Sequence, residues 1–290
     1  MKLITHNDRF HADDVFATAA LQLLFGDKIT EIIRTRDEEI FSTGDVVYDV
    51  GGVFDSEKNR FDHHQAGYNE VRENGIPYSS FGLIWRKWGE EICGDKEAAN
   101  IIDEKLVQVI DAGDNGFATH DARDESYSSY PIDSMVRSFG PTWKEEDDFD
   151  KRFLEVVAFA KQILVREIVN ANHTVEAMPV IQKAYDDAED KRLLIVEEYT
   201  PFGSFFKDHP DTLYVVTRNK EKASWRIVTI QEKGFTNRKD LPQTWAGLRD
   251  EELQKVTGVE DAIFCHRGLF LAVAESQEGA LKMARIALEA

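Results

Sequence analysis

The chain has 290 residues, 42% of them hydrophobic, which is enough for one large domain or two ordinary ones with a buried core. Its formal net charge of −19 argues against broad, sequence-independent binding to duplex nucleic acid, which requires a basic face. A small phosphorylated substrate is not excluded, because divalent cations held by clustered carboxylates can reverse the local field.

The first two predicted elements have a group of polar side chains between them. Lys2–Thr5 is predicted to be a short strand, and Ala12–Phe25 a helix whose apolar residues recur at helical spacing. The polar residues of the connecting loop and of the helix start are His6, Asp8, His11, Asp13 and Asp14. Imidazoles and carboxylates at this density, directly before a buried helix, indicate a cation site.

Two further apolar segments predict buried strands of a parallel sheet. They are EIIRTR (Glu31–Arg36) and DVVYDVGG (Asp45–Gly52). The glycine pair ends the second strand sharply and leaves Asp49 near its carboxyl end. Because ligands of open α/β sheets bind at the carboxyl ends of the strands, we expect Asp49 to face a ligand.

The middle of the chain adds two more polar clusters. The segment NRFDHHQ supplies an Asp-His-His triplet, residues 62–64. Helices are then predicted for Ser79–Ile92 and Lys96–Ile110, and the second is predicted to end at DAGDNG, Asp111–Gly116. Each polar cluster therefore stands at the end of a predicted element.

The pattern predicts an α/β chain with two domains. A long charged helical region, Asp147–Ala188, is followed from Lys191 by β-rich segments and a closing helix, Glu278–Leu288. We predict a catalytic domain with a parallel sheet over residues 1–170, a helical linker over 171–190 and a smaller α/β substrate-binding domain over 191–290.

The polar clusters are more informative together than one at a time. Singly, Asp13 is explained as a helix N-terminal charge and His63 as a surface residue. Together, the four clusters can converge at one sheet edge, and mixed imidazole and carboxylate ligands suit two divalent ions such as Mn²⁺. The two cysteines lie far apart, which excludes a thiolate zinc site. A carboxylate that bridges two ions helps to activate water for phosphoryl hydrolysis, and Asp49 is the candidate for that bridge.

The triplet Asp62-His63-His64, with HNDRFHADD, VYDVGG and DAGDNG around it, resembles the DHH phosphoesterase superfamily. Within it, the chain is most similar to the melanocyte-proliferating-gene (Myg) exonuclease family, because IIRTRD, SSFGLIWRKWG, WAGLRDEEL and EGALKMA also resemble that family. The resemblance covers nearly the whole chain. It implies a parallel-sheet DHH-type catalytic domain and a smaller substrate domain that close over a centre with two metal ions.

The resemblance also implies a role for each matching residue. One ion would take His6, His11 and Asp49, and the other Asp13, Asp49, His63 and Asp111. His64 would face the scissile phosphate while Asp62 orients the histidines, so Asp49, Asp62 and His64 form the expected catalytic set. Many superfamily members have Asp where this chain has His11, and a histidine there removes one negative charge from the site.

Several positions stay open between two roles. Asp14 is favoured as a helix N-terminal charge over a metal ligand. Asp111 is favoured over Asp114 as a ligand, because it directly follows the predicted helix. Arg34 and Arg36 end the second strand, where a salt bridge competes with a phosphate contact, and Arg36 is kept as a substrate-binding candidate.

The second domain offers one candidate segment for substrate binding. FCHRGLF places His266 and Arg267 at a predicted strand end. The superfamily carries a Gly-rich stretch with a histidine in an equivalent place, but its Gly pair is missing here. We favour substrate contact over a structural role for both residues.

These patterns predict a metal-dependent phosphoesterase that uses two divalent ions, Mn²⁺ or alternatively Mg²⁺, and a metal-bound hydroxide as nucleophile. By resemblance, the substrate is RNA or a short oligonucleotide, degraded from its 3′ end. The alternatives are a pyrophosphatase or small-nucleotide phosphatase, and a non-catalytic metal-binding regulatory protein.

No apolar run could span a membrane and no signal or transit pattern is present, so we expect a cytoplasmic protein without a membrane partner. Assembly into a homo-oligomer stays open.

Overall fold

The computed structural model of the chain describes residues 1–117, 129–198, 200–201, 205–219, 223–234 and 236–290. The chain divides into two compact units, Met1–Asn172 and His173–Ala290. Each unit contains a five-stranded sheet with helices, so the chain is of the mixed α/β class, as the sequence predicts. Among the helices within the described residues, none is both long and apolar enough to cross a membrane.

The first unit contains one sheet and most of the helices. Its described strands and helices are β1 (Lys2–Thr5), α1 (Ala12–Phe25), β2 (Glu31–Arg34), α2 (Glu38–Phe41), β3 (Val46–Tyr48), β4 (Phe54–Asp55), β5 (Arg60–Phe61), α3 (Ser80–Cys93), α4 (Lys96–Ile102), α5 (Gln108–Asp114), α6 (Ile132–Arg137) and α7 (Phe149–Asp187). A π-helical stretch, Asp103–Val107, joins α4 to α5. Helix α7 continues past the division between the units.

The sheet of the first unit brings the ends of four strands to one edge. Its order is β2-β1-β3-β5-β4, and the first four strands are parallel. Strand β4, at the margin, is antiparallel to β5. Because the carboxyl ends of parallel strands share one edge, the residues that follow Thr5, Arg34, Tyr48 and Phe61 lie near one another.

Strand β3 ends earlier than the sequence predicts. It stops at Tyr48, because Asp49, Gly51 and Gly52 have φ angles of 57°, 99° and 66°. An extended strand cannot continue through this left-handed region. A non-glycine residue held there costs about 1–3 kcal/mol, and such strain is concentrated at functional sites. The chain therefore leaves the sheet at Asp49.

Helix α1 is buried around its whole circumference near its start. Residues 12–21 are all buried, and the ring centroids of Phe16 and Phe81 lie 5.8 Å apart where α1 packs on α3. Full burial of one apolar side chain of this size stabilises the folded state by about 1.5–3 kcal/mol. Asp13 and Asp14 belong to the buried segment and have no exposed surface. The predicted bounds of this helix are confirmed.

The helical region after Cys93 differs from its prediction. The segment predicted as one helix, Lys96–Ile110, contains the π-helical stretch, and α5 continues to Asp114. Gly116, with a φ of 63°, follows the end of α5, as glycines commonly do after helices. Asp111 therefore lies inside a helix, and the prediction that it follows the helix is wrong.

The second unit contains a mixed sheet and two helices of its own. Its described strands and helices, after α7, are β6 (Leu193–Val196), β7 (Tyr214–Arg218), β8 (Trp225–Thr229), β9 (Gln231–Lys233), β10 (Thr236–Asn237), α8 (Asp250–Thr257), β11 (Ala262–Cys265), β12 (Leu271–Ala274) and α9 (Gln277–Glu289). The sheet order is β11-β12-β8-β7-β6, with β6 parallel to β7 and the other pairs antiparallel. Strands β9 and β10 form a separate ribbon.

A buried ion-pair network ties the loop before α3 to the helices behind the sheet edge. Arg72 Nη1 lies 2.6 Å from Asp111 Oδ2, and Arg72 Nη2 lies 2.7 Å from Asp103 Oδ1. The other oxygen of Asp111 accepts hydrogen bonds from the Ser79 hydroxyl, at 2.6 Å, and from the Gly82 backbone N–H, at 3.0 Å. Removing one partner of a buried ion pair of this kind strongly destabilises the fold, because the other charge is left buried without compensation.

We predict that Gly82→Ala destabilises the first unit. A Cβ at this position would lie 1.9 Å from Asp111 Oδ2, so the carboxylate would have to leave its network. Overpacking of this kind costs about 1–3 kcal/mol, which urea denaturation would measure as a lower free energy of unfolding.

The matched control is Gly113→Ala. This glycine is in α5, and a Cβ there would meet no atom within 4 Å among the described residues. Alanine should raise the free energy of unfolding by about 0.5–1 kcal/mol, because it restricts the unfolded chain. Equal effects of the two substitutions would show that Asp111 is not tightly held.

Candidate metal centre

The loop from β1 to α1 contributes two histidines to the sheet edge, and the first turn of α1 contributes two buried carboxylates. His6 is 3% exposed, and its Nδ1 lies 2.8 Å from the carbonyl oxygen of Asn7, so Nδ1 donates to that oxygen. When the ring is neutral, this bond leaves the other nitrogen, Nε2, as the electron-pair donor. Asp8 of the same loop is exposed, and its carbonyl oxygen accepts from Arg34.

Asp49 lies between two histidines that follow the ends of different strands. Its Oδ2 is 3.1 Å from His6 Nε2, and its Oδ1 is 3.3 Å from His63 Nε2. Burial alone would raise the pKa of Asp49, but the contacts with His6 and His63 outweigh burial and lower it. The two oxygens of one carboxylate thus face two separate imidazole nitrogens.

A second group of ligand atoms surrounds His63. Its Nε2 lies 3.2 Å from Asp114 Oδ2 and 3.8 Å from Asp13 Oδ2. The other oxygen of Asp114 is 4.0 Å from His11 Nδ1. Asp114 is the last residue of α5, so the end of this helix reaches the sheet edge.

Asp111 lies apart from these histidines in the structure. Its carboxylate contacts Arg72, Ser79 and Gly82, and burial raises its pKa to about 6 although Arg72 acts to lower it. The geometry therefore favours Asp114 over Asp111 as the ligand, in contrast to the choice made from the sequence. The Asn-Gly pair that follows Asp114 is the signal that could have located the helix end correctly.

Asp14 has two roles in the structure. Its Oδ1 accepts the backbone N–H of His11 at 2.8 Å, a capping contact at the helix start, where the sequence favours Asp14 as an N-terminal charge. Its Oδ2 lies 3.3 Å from His6 Nε2, next to the cluster. Burial raises the pKa of Asp14 to about 7, although the nearby His6 acts to lower it.

Several buried atoms of the cluster have no hydrogen-bond partner among the residues that the structure describes. They are His6 Nε2, His63 Nε2, both carboxylate oxygens of Asp13, and Asp14 Oδ2. An unpartnered buried polar group costs about 1–3 kcal/mol, and more if it is charged. Imidazole nitrogens and carboxylate oxygens are also the donor set that first-row divalent ions accept. These residues therefore fit a divalent cation.

The charges of the cluster also favour a bound cation. Burial, together with repulsion from Asp49 and Asp114, raises the pKa of Asp13 well above its usual range. Burial would lower the pKa of His6, but its contacts with Asp49 and Asp14 raise it to about 9. The carboxylates thus repel one another and favour added positive charge, which a proton or a metal ion can supply.

The triplet after β5 is held by its first residue. Asp62 Oδ1 accepts the backbone N–H groups of His63 and His64, at 2.8 and 3.1 Å, and also lies 2.7 Å from His64 Nδ1. Asp62 Oδ2 accepts the Gly52 backbone N–H at 2.5 Å. Burial would raise the pKa of Asp62, but these hydrogen bonds lower it. The side chain of His64 is 62% exposed, so its ring reaches solvent.

A cavity of about 270 Å³ opens over the cluster. Its lining includes His6, His11, Arg36, Asp49 and His64. Arg36 Nη2 lies 3.3 Å from His6 Nδ1, whereas Arg34 forms a salt bridge with Asp150 at 2.8 Å. Of the two arginines, only Arg36 lines this cavity among its described residues. The salt-bridge alternative thus applies to Arg34.

The candidate segment of the second unit forms the turn between β11 and β12. His266 Nδ1 accepts the backbone N–H of Gly268 at 3.0 Å, and the backbone N–H of His266 donates to the Leu271 carbonyl at 2.8 Å. Leu269 has a left-handed φ of 58°, and Arg267 is exposed. The His266 ring is therefore held by its own turn, while the Arg267 side chain reaches solvent.

Comparisons with known proteins cover the chain almost from end to end. The family model for MYG1 exonuclease, described as "Uncharacterised protein family (UPF0160)", matches residues 2–288. The chain is 33% identical to a MYG1 protein of Caenorhabditis elegans, in a match that covers 98% of this chain and 94% of that protein. It is 31% identical to a MYG1 protein of Schizosaccharomyces pombe, with 100% and 98% covered. It is 29% identical to the MYG1 exonuclease of Homo sapiens, with 98% and 85% covered.

We predict that Mn²⁺ binding depends on Asp114 and not on Asp111. Asp114→Asn removes a charged oxygen next to His63, so we expect at least a tenfold loss of Mn²⁺ affinity, given that even outer partners of metal ligands are worth about 10- to 100-fold. Isothermal titration of metal-free protein would measure this loss.

Asp111→Asn is the matched variant in the same helix. It should lower the melting temperature, because Arg72 is left buried beside a neutral group, yet leave Mn²⁺ affinity within about threefold of wild type. The reverse pattern, with Mn²⁺ affinity lost in Asp111→Asn alone, would contradict the geometric assignment.

Proposed function

The chain belongs to the MYG1 exonuclease family, and we propose that it is a metal-dependent phosphodiester hydrolase of the exonuclease type. Relatives in human and rat are named MYG1 exonuclease, which supports the nuclease class. The sequence motifs support the finer assignment to the DHH phosphoesterase superfamily. We propose RNA or short oligonucleotides as substrate, degraded from the 3′ end.

The position of Asp49 is the observation that carries this proposal. One of its oxygens lies 3.1 Å from His6 Nε2 and the other 3.3 Å from His63 Nε2, and within the described part of the chain both buried nitrogens lack a partner with hydrogen-bond geometry. A carboxylate placed in this way suits a bridge between two cations. Two-metal sites with a shared ligand are characteristic of phosphatases and nucleases.

The proposed ligands divide between two positions on either side of Asp49. The first position uses His6, His11 and Asp49, and the second uses Asp13, Asp49, His63 and Asp114. Mn²⁺ suits this donor set, and Mg²⁺ is less suited because it prefers oxygen ligands. When bound, the two ions would supply positive charge next to the attacking and leaving oxygens of an in-line displacement.

The remaining residues of the site are proposed to position the substrate. His64 is exposed and its Nδ1 is held by Asp62, which leaves Nε2 to donate a hydrogen bond to a phosphate oxygen. The hydrogen bond to Asp62 raises the pKa of His64, although burial acts against it, which stabilises the cationic ring relative to a free imidazole. Arg36 lines the same cavity and suits a second phosphate oxygen.

The turn of the second unit is proposed to contact a phosphate that is not being cleaved. The exposed guanidinium of Arg267 suits bidentate phosphate binding. For His266, which the sequence favours as a substrate contact, we propose instead that it supports the turn from which Arg267 extends. The second domain would then act as the substrate-binding unit that the sequence predicts.

We predict that Asp49→Asn lowers hydrolysis of a labelled oligoribonucleotide in Mn²⁺ by about a hundredfold or more, because two cations would face each other without the anion between them. Circular dichroism should show an unchanged fold. Asp27→Asn, the same change at an exposed position, should keep wild-type activity.

The products of the reaction test the class of substrate. Release of nucleoside monophosphates from the 3′ end supports the exonuclease assignment. Orthophosphate as the sole product would instead identify a pyrophosphatase or phosphatase. Near-normal hydrolysis by Asp49→Asn would defeat the proposed bridge.

A further inference from the structure

A second cavity of the first unit shares His11 with the cavity over the proposed metal centre. It has a volume of about 510 Å³ and lies between Arg9–His11 and the segment 137–149, which connects α6 to α7. His11 also lines the 270 Å³ cavity over Asp49. The two cavities of this unit therefore have the His11 side chain in common. We call the larger space the Trp143 cavity.

The most exposed large apolar side chain among the described residues stands in this cavity. Trp143 is 89% exposed, so it has almost no packing role in the fold. The ammonium of Lys144 lies 4.8 Å from its ring centroid, which adds positive charge beside the indole. Phe10 and Phe149, whose rings meet edge to face at 6.3 Å, form an aromatic part of the wall.

The charged groups of the cavity are balanced. Arg9 and Arg137 line it, as do Glu145 and Asp147. Arg137 is paired with Asp133 at 2.6 Å, whereas no acidic group of the described residues lies within ion-pair distance of Arg9. With two cationic and two anionic side chains in its lining, the cavity as a whole does not favour a highly charged anionic ligand. It suits a neutral ring with a single phosphate near Arg9.

We propose that the Trp143 cavity binds the nucleoside next to the scissile phosphate, with the base stacked on Trp143 and Arg9 at an adjoining phosphate. This inference rests on the proposed function, because the scissile phosphate is assigned to the neighbouring metal centre. Its volume falls within the range of about 300–1,000 Å³ of small-molecule pockets. An aromatic platform with a nearby cation is the usual means of holding an unpaired base without regard to sequence.

The first test measures binding without turnover. Equilibrium dialysis with Mn²⁺-loaded protein compares adenosine 5′-monophosphate with inorganic phosphate. The wild type should bind the nucleotide about five- to a hundredfold more tightly, the range expected of one stacked base. Trp143→Ala should remove this preference and leave phosphate affinity unchanged, while Trp143→Phe should keep most of it.

The second test measures hydrolysis on two substrates. Trp143→Ala should lower kcat/KM for a diribonucleotide about five- to a hundredfold but leave methyl p-nitrophenyl phosphate, which has no base or ribose, within about twofold. Tyr130→Ala is the control, because Tyr130 is an aromatic residue at 71% exposure that does not line the described cavity.

The outcomes separate this inference from the proposed function. Preferential nucleotide binding through Trp143 without any hydrolysis would keep the nucleoside site and reject the nuclease. Hydrolysis of the diribonucleotide with no effect of Trp143→Ala on either binding or kcat/KM would keep the nuclease and overturn the nucleoside site. Equal losses on both hydrolysis substrates would also overturn it, because the role of Trp143 would then not concern the base.

Discussion

The burial of Asp13, Asp14 and Asp49 is the constraint on which the first unit depends. All three carboxylates are at most 3% exposed, and taking an ionised carboxylate out of water costs several kcal/mol even after relaxation. The fold meets this cost by placing His6 and His63 within 3.3 Å of Asp49. The start of α1 adds a favourable dipole for its two aspartates. A bound divalent cation would complete the compensation.

Most of this arrangement can be predicted from the sequence, because it depends on short local sequence patterns. Helical periodicity gave α1 its observed bounds, and the glycine pair at 51 and 52 placed the end of β3 close to, but later than, its observed end at Tyr48. Parallel topology then brings separate strand ends together, which is a property of the sheet and not of any single motif. The assignments of His6, His63 and Asp49 as ligands, which follow from this reasoning, remain proposals.

Other features depend on tertiary contacts that one sequence does not display. Whether Asp111 or Asp114 reaches the histidines depends on one more turn of α5, and on Arg72, which approaches Asp111 from a distant loop. The two-residue strands β4 and β5 are too short to show a period. Trp143 belongs to no sequence motif, and the exposure of an isolated aromatic residue in a polar loop cannot be read from the sequence.

Two cavities that share His11 suggest a division of labour within the first unit. The smaller one holds Asp49 and His64, where the proposed hydrolysis takes place. The larger one offers Trp143 to a base.

Anomalous diffraction from crystals of the Mn²⁺-loaded protein tests the proposed metal centre most directly. We expect two manganese peaks, each within about 2.0–2.6 Å of an Asp49 oxygen, with Asp114 bound and Asp111 still paired with Arg72. Manganese peaks that lie elsewhere, or bound Asp111 in place of Asp114, would contradict the account.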